Sequence, residues 1–117
     1  MKFLDLPNLC NPLEDTLARR GETAYLRCVY DGSPVPRVQW YVNGVEVVHS
    51  TSKHAIVHDR IQRTVALRIS NVTEPDTEAS YMCVLTNQVG QSRASAEIRL
   101  HVSRMLIFDH LGTRQVV

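Results

Sequence analysis

Apolar residues recur at every second position in five short runs of the chain. Such runs, rich in β-branched or aromatic residues and bounded by turn residues, are typical of half-buried β-strands. No stretch carries a sustained helical period. Because a sheet with one apolar face must bury that face against a second layer, the pattern predicts an antiparallel β-sandwich. The apolar positions are Ala24, Leu26 and Cys28; Val38, Trp40 and Val42; Val65, Leu67 and Ile69; Ala79, Tyr81, Cys83 and Leu85; and Ala96, Ile98, Leu100 and Val102.

Turn residues separate the runs where a sandwich needs them. Residues 31–34, Asp-Gly-Ser-Pro, predict a turn, and Asn43-Gly44 is a strong hairpin signal between two apolar runs. Residues 75–76, Pro-Asp, interrupt the chain before the run that contains Tyr81. Residues 87–90 are expected to close a hairpin between the last two strong strands.

The single tryptophan, Trp40, stands in the middle of an alternating run. It lies on the strand after Cys28, and Tyr81 stands two residues before Cys83. A buried tryptophan packed on an inter-sheet cysteine pair, with a tyrosine-corner residue just before the second cysteine, is the immunoglobulin pattern.

From Pro12 to Val102 the chain resembles an I-set immunoglobulin domain. The matching pieces are PLEDTLARRGETAYLRC, GSPVPRVQWYVNG, LRISNV, YMCVLTNQVG and AEIRLHV, in the family's order. The resemblance implies an all-β immunoglobulin-like sandwich of two antiparallel sheets with Greek-key connections. Residues 1–11 would then be an N-terminal extension, and residues 103–117 a C-terminal extension or linker. The expected core is Leu26, Cys28, Val38, Trp40, Ile56, Leu67, Ile69, Tyr81, Cys83, Ile98 and Leu100.

One position departs from the family pattern Asp-x-Gly/Ala-x-Tyr-x-Cys. Thr77 stands where the family has aspartate, with Asp76 and Glu78 on either side. The resemblance implies that this aspartate pairs with an arginine, for which Arg60 would be the candidate, so the pair lacks its acid here. We expect this loss to cost some stability and to leave the fold intact.

The cysteines and one sequon bear on the compartment, in opposite directions. If Cys28 and Cys83 form a disulfide, the bridge contributes about 4 kcal/mol; if they are reduced, both still fill core volume. With Cys10 the count is odd, which weakly favours a reducing compartment. Asn71-Val72-Thr73 is an N-glycosylation sequon, which would be used only in a secreted chain. Cytoplasm is therefore favoured only slightly over an extracellular location.

Little in the composition indicates catalysis or a nucleic-acid partner. A formal net charge of +1 lacks the basic excess of a nucleic-acid binder, and no apolar run is long enough to span a bilayer. His54 and His58 have a zinc-ligand spacing for a helix, but on a strand they lie about 13 Å apart, so two solvent-side histidines are expected instead. No nucleophile elbow or phosphate-binding loop is present. We therefore expect no catalytic residues, no cofactor, no metal and no membrane insertion.

Two classes of function remain, both non-catalytic. I-set domains occur in muscle and cytoskeletal proteins of the titin and twitchin type, and in extracellular adhesion molecules and receptors. The first hypothesis is a structural and protein-binding module of a larger muscle or cytoskeletal protein; the alternative is an extracellular recognition domain. The expected partners are neighbouring immunoglobulin-like domains or a protein ligand. An arginine patch of Arg19, Arg20, Arg63 and Arg68 is conceivable, but a solvated surface is the commoner explanation.

The stretch after Val102 lies outside the resemblance. It contains an apolar run, Met105 to Phe108. A linker or the start of a neighbouring domain is the favoured interpretation. The alternative is an interaction segment, since an unpaired apolar strand invites an edge partner.

Overall fold

The computed structural model describes residues 5–9, 15–100, 106–108 and 114–116. Cys10, Val102 and Met105 lie outside these ranges. The described residues form short strands and one helical turn. In chain order these are β1 (Asp5–Leu9), β2 (Thr16–Ala18), β3 (Ala24–Ser33), β4 (Arg37–Val42), β5 (Val45–Glu46), β6 (His54–Asp59), β7 (Thr64–Ile69), α1 (Glu74–Glu78), β8 (Tyr81–Thr86), β9 (Gln91–Ala96), β10 (Ile98–Leu100), β11 (Leu106–Phe108) and β12 (Arg114–Val116).

The first sheet has the strand order β1-β3-β7-β6, with every neighbouring pair antiparallel. Its register places Leu26 opposite Leu67, and Leu67 opposite Ile56. The alternation seen in the sequence therefore brings apolar side chains from three strands into one layer that faces the second sheet.

The second sheet has the order β5-β4-β8-β9, again antiparallel throughout. Trp40 lies opposite Cys83 in this sheet. The β4–β5 connection is the predicted Asn43-Gly44 turn, in which both residues have positive φ values, 52° and 78°. A two-residue hairpin with this backbone matches the right-handed twist of its strands, which explains the asparagine and the glycine.

The core lies between these two sheets, as the sequence pattern predicts. Cys28, Trp40, Leu67, Tyr81 and Cys83 each have 0% of their surface exposed. Val38, Ile56 and Leu100 are half-buried and pack against the same cluster. The remaining predicted core residues, Leu26, Ile69 and Ile98, are buried within it.

The last predicted run divides into two strands that have different partners. β9 ends at Ala96 and pairs with β8, whereas β10 begins at Ile98 and pairs in parallel with β2. Ile98 lies opposite Thr16, and Leu100 lies opposite Ala18. The Thr16 N–H also donates to the Glu97 carbonyl at 3.0 Å. β2, the first strand after β1, is therefore bonded to β10, the strand that follows β9.

Three of the described strands lie in stretches that the sequence assigns to extensions. Residues 5–9 form β1, whose pairing with β3 contains an irregularity between Asp5 and Asn8. Leu106–Phe108 and Arg114–Val116 pair as an antiparallel hairpin.

Candidate binding surfaces and structural sites

The two core cysteines are adjacent thiols, and Cys83 lies opposite Trp40 in the second sheet. Both are buried and free, and a hydrogen bond between their side chains raises the pKa of Cys83, as does burial. A buried thiol that stays protonated is a poor nucleophile, so this pair has a structural character. Their adjacency is also the arrangement that oxidation to a disulfide requires.

A partly buried ion pair, between two residues that the sequence did not pair, occupies the corner before β8. Lys53 Nζ lies 2.7 Å from Asp76 Oδ2, and the same oxygen accepts the backbone N–H of Thr73 at 2.9 Å. Asp76 is only 8% exposed. The acid of this corner is therefore one residue before the family position, and its cationic partner is Lys53. The corner therefore keeps an acid–cation pair although Thr77 replaces the family aspartate, and Lys53 rather than Arg60 supplies the cation.

The helical turn explains the one-residue change. Asp76 lies in the first turn of α1, where a carboxylate can accept the free backbone N–H at the helix start. Thr77, which replaces the family aspartate, donates its hydroxyl to the Glu74 carbonyl at 2.6 Å within the same turn. The spacing of Thr73 and Asp76 is a helix-start signal in the sequence, whereas nothing local indicates Lys53.

The environment of the same corner keeps the Tyr81 phenol protonated. Its hydroxyl donates to the Asp76 carbonyl at 3.4 Å. Burial, reinforced by the negative charge of Asp76, raises the pKa of Tyr81 to about 12. The phenol is consequently a neutral donor throughout the physiological range, as the tyrosine-corner role requires.

His54 and His58 lie on β6 opposite the buried residues Ile69 and Val65. His58 Nε2 makes a 2.9 Å hydrogen bond with the Tyr30 hydroxyl. His54 differs from the solvent-side position expected of it, because its Nε2 is buried without a hydrogen-bond partner. Burial, and then the charge of Lys53, lower its pKa. In the described part of the chain, no three His, Cys, Asp or Glu side chains are grouped as metal ligands.

The sequon asparagine is on the surface. Asn71 is exposed, with φ of 50°, and its carbonyl accepts Lys53 Nζ at 2.9 Å. Its side chain therefore meets the exposure requirement for glycosylation, which stays a prediction.

The arginines considered for a common patch have separate environments. Arg20 forms an ion pair with Glu74, and Arg63 forms one with Asp31 at 2.9 Å. Arg68 lies on β7 beside Tyr25 of β3. These three therefore do not share one set of charge partners.

Two surface concavities border the sandwich. One, of about 530 Å³, is lined by Tyr30, Val35, Pro36, His58, Arg60 and Arg63. The other, of about 470 Å³, has an apolar lining that includes Val42, Val45, Val47 and Val48. Both are open at the surface, and the first contains the hydrogen-bonded side chains of Tyr30 and His58.

The model of the family described as Immunoglobulin I-set domain matches residues 7–102. The chain belongs to the immunoglobulin I-set family. The all-β sandwich predicted from the alternation and from the Cys–Trp–Tyr pattern is thereby confirmed.

Solved structures of titin share the I-set fold of this chain. The titin Ig tandem domains A164-A165 are 28% identical to it, with a TM-score of 0.75, over 87% of this chain and 50% of theirs. The titin domains Z1Z2, solved in complex with telethonin, are 26% identical, with a TM-score of 0.71, over 81% of this chain and 46% of theirs.

Curated relatives include both titin and a growth factor receptor. Titin of Drosophila melanogaster is 33% identical over 86% of this I-set chain, and NT-3 growth factor receptor of Sus scrofa is 31% identical over 83%. The matched region rounds to 0% of the length of titin and is 12% of the length of the receptor. The I-set chain thus spans only a small part of these proteins. Among its described residues, no helix has the length and apolar character needed to cross a bilayer.

Proposed function

We propose that this I-set domain is a non-catalytic structural and protein-binding module of a larger muscle or cytoskeletal protein. The observation that carries the proposal is the parallel pairing of β2 with β10. β2 follows the edge strand β1, β10 is the last strand that begins within the family match, and the two run in the same direction. A pull applied just before β2 and just after β10 therefore acts along both strands in opposite senses, so their hydrogen bonds are sheared together rather than opened one at a time.

Polar contacts at the start of β2 reinforce this pairing. Asp15 accepts the backbone N–H of Glu97 at 2.9 Å and lies 3.2 Å from Arg99. Because one carboxylate contacts both Glu97, just before β10, and Arg99 within β10, it resists sliding of β10 past β2. Similarity to titin supports a role in which the domain keeps its spacing under tension.

Force spectroscopy on the full chain, held at both ends, tests this role. Thr16→Pro removes the N–H that donates to Glu97, and the matched control Thr16→Ala keeps that N–H. Thr16→Pro is expected to lower the unfolding force markedly, while Thr16→Ala leaves it near the parent value. Chemical denaturation of both variants separates mechanical from thermodynamic effects. Equal unfolding forces in all three proteins would contradict the proposal.

A second candidate function is recognition outside the cell, as in an adhesion molecule or receptor. It is favoured by the exposed Asn71 sequon and by the adjacency of Cys28 and Cys83. Intact-mass spectrometry of the protein from its native source distinguishes the two functions. A glycan at Asn71 and an oxidised cysteine pair would support the extracellular function. Unmodified Asn71 and free thiols would support the intracellular one.

A further inference from the structure

The outer face of the first sheet carries a compact set of six side chains, which we call the β3–β7–β6 face. The register aligns Arg27, Ala66 and Val57 in one row across the three strands, and Tyr25, Arg68 and Ala55 in the next. Their chain neighbours Leu26, Leu67 and Ile56 pack toward the core. Because side chains alternate along a strand, these six lie on the side away from the core.

The face has an apolar floor between larger side chains. Ala55 and Ala66 are only 7% and 6% exposed, although no second layer covers them among the described residues. Tyr25 is 39% exposed and Val57 is 46% exposed. The alanines are therefore shielded by their larger neighbours, and the exposed apolar surface of this face belongs to Val57 and the Tyr25 ring.

Two arginines give this face a positive charge that nothing described nearby neutralises. Arg20, Arg63 and Arg99 each lie within ion-pair distance of an acid. Arg27 and Arg68 form no ion pair among the described residues, and Arg68 Nε is buried without a hydrogen-bond partner.. The Arg27 guanidinium lies over the Tyr25 ring, 5.2 Å from its centroid.

The placement of the two charges is unfavourable in the isolated domain. Arg27 is opposite Ala66, and Arg68 is two residues further along the same strand, so the arginines are diagonal neighbours on one face. Diagonal neighbours on one face are within reach of each other's long side chains, so the two like charges have no attractive interaction with each other. The acid nearest in the register is Asp59, one row beyond Val57, where it lies opposite Thr64. Asp59 Oδ1 already accepts the backbone N–H groups of Ile61 and Gln62 in the following turn.

We propose that the β3–β7–β6 face binds an acidic segment of another protein. Carboxylates of that segment would pair with Arg27 and Arg68, and an apolar residue between them would pack on Val57 and the Tyr25 ring. Exposed tyrosine and arginine around an apolar centre is the composition typical of energetically important interface residues, and guanidinium groups pair with carboxylates in two-point geometry. The proposal names a partner class for the protein-binding role proposed above and is independent of the mechanical role.

Nuclear magnetic resonance titration of the full chain tests the site directly. The probe is a short peptide of alternating glutamate and valine, and its control replaces each glutamate with lysine. The acidic peptide is expected to shift the amide resonances of β3, β6 and β7, and the lysine peptide is not. Shifts concentrated on β4, β8 and β9 would overturn the proposal.

Charge-reversal variants separate a defined face from general electrostatic attraction. The double variant Arg27→Glu/Arg68→Glu is expected to weaken binding of the acidic peptide by about tenfold or more. Its matched control is Arg37→Glu/Arg93→Glu, which changes the net charge equally on two exposed arginines of the second sheet. The control is expected to retain most of the affinity. Equal weakening in both variants would overturn the proposal.

Two further measurements check the folding of the variants and the role of the guanidinium geometry. Circular dichroism melts of both double variants check that each is folded, and Arg27→Lys/Arg68→Lys keeps the charge while removing the two-point geometry. This conservative variant is expected to bind between the parent and the charge reversal. A sulfated oligosaccharide that binds the same residues more tightly than the peptide would refute a protein segment as the ligand. The force experiment on Thr16 would be unaffected by any of these outcomes.

Discussion

Removing the Asp76 carboxylate tests the corner that the sequence pattern did not foresee. Asp76→Ala deletes the acceptor of two hydrogen bonds, from Lys53 Nζ and from the Thr73 backbone N–H. The site is almost fully buried on the aspartate side, whereas the Lys53 side chain is 37% exposed. Lysine can therefore recover water after the substitution, but the Thr73 N–H loses its partner at the start of α1.

The magnitude follows from these two contacts. A hydrogen bond to a charged group contributes about 1.5–3 kcal/mol, and the exposure of Lys53 places its bond at the lower end. We therefore expect Asp76→Ala to lower the free energy of unfolding by about 3 kcal/mol. Asp76→Asn retains an acceptor for Thr73 and removes the charge, so its effect should be about half as large.

Urea denaturation of a double-mutant cycle measures the ion pair itself. Lys53→Met, Asp76→Ala and the combined variant should give a coupling energy of about 1 kcal/mol, at the upper end for exposed pairs. Thr77→Ala is the control in the same helical turn, because it removes only the hydroxyl bond to Glu74. Additive effects of Lys53→Met and Asp76→Ala, or a loss below about 0.5 kcal/mol in Asp76→Ala, would refute the assignment.

Three further predictions concern the core and its titrating groups. Trp40→Ala should cost about 3–5 kcal/mol in a denaturant melt, since it deletes a fully buried ring; a negligible change would contradict the core assignment. The lowered pKa of His54 means that the unfolded chain binds its proton first, so stability should fall as pH drops below about 6.5; this fall should be smaller in His54→Gln. The raised pKa of Tyr81 means that the unfolded chain loses its proton first, so stability should decline from pH 10 to about 12; alkaline denaturation of Tyr81→Phe should lack that component.

The elements with local signals were predictable from the sequence. Strands β3, β4, β7 and β8 each show period-2 alternation, and Asn43-Gly44 fixes one hairpin by backbone preference alone. Cys28, Trp40 and Cys83 could be placed in one core because each stands on the apolar face of its strand. In these regions the local pattern and the tertiary packing agree.

Features that depend on distant partners were not predictable. Ala96 and Ile98 continue one alternating pattern, but β10 leaves β9 to pair with β2, which lies at the other end of the sequence. Lys53 reaches Asp76 across a sandwich corner, and no local spacing indicates that contact. Ala55 and Ala66 on the outer face are likewise buried only because larger side chains on neighbouring strands surround them.

The irregular attachment of β1 has a consequence for how the molecule opens. Its register with β3 shifts between Asp5 and Asn8, so only Asn8 and Leu9 are consecutive partners of Asp31 and Tyr30. By contrast, β3 and β7 are paired without interruption from Ala24 to Val29. Amides near residues 31–33 should therefore exchange hydrogen with solvent through local detachment of β1. Amides of residues 24–29 should exchange only through larger openings of the structure. Each such detachment briefly presents the unpaired end of β3 as a docking edge, where a strand from a second molecule could exchange for β1.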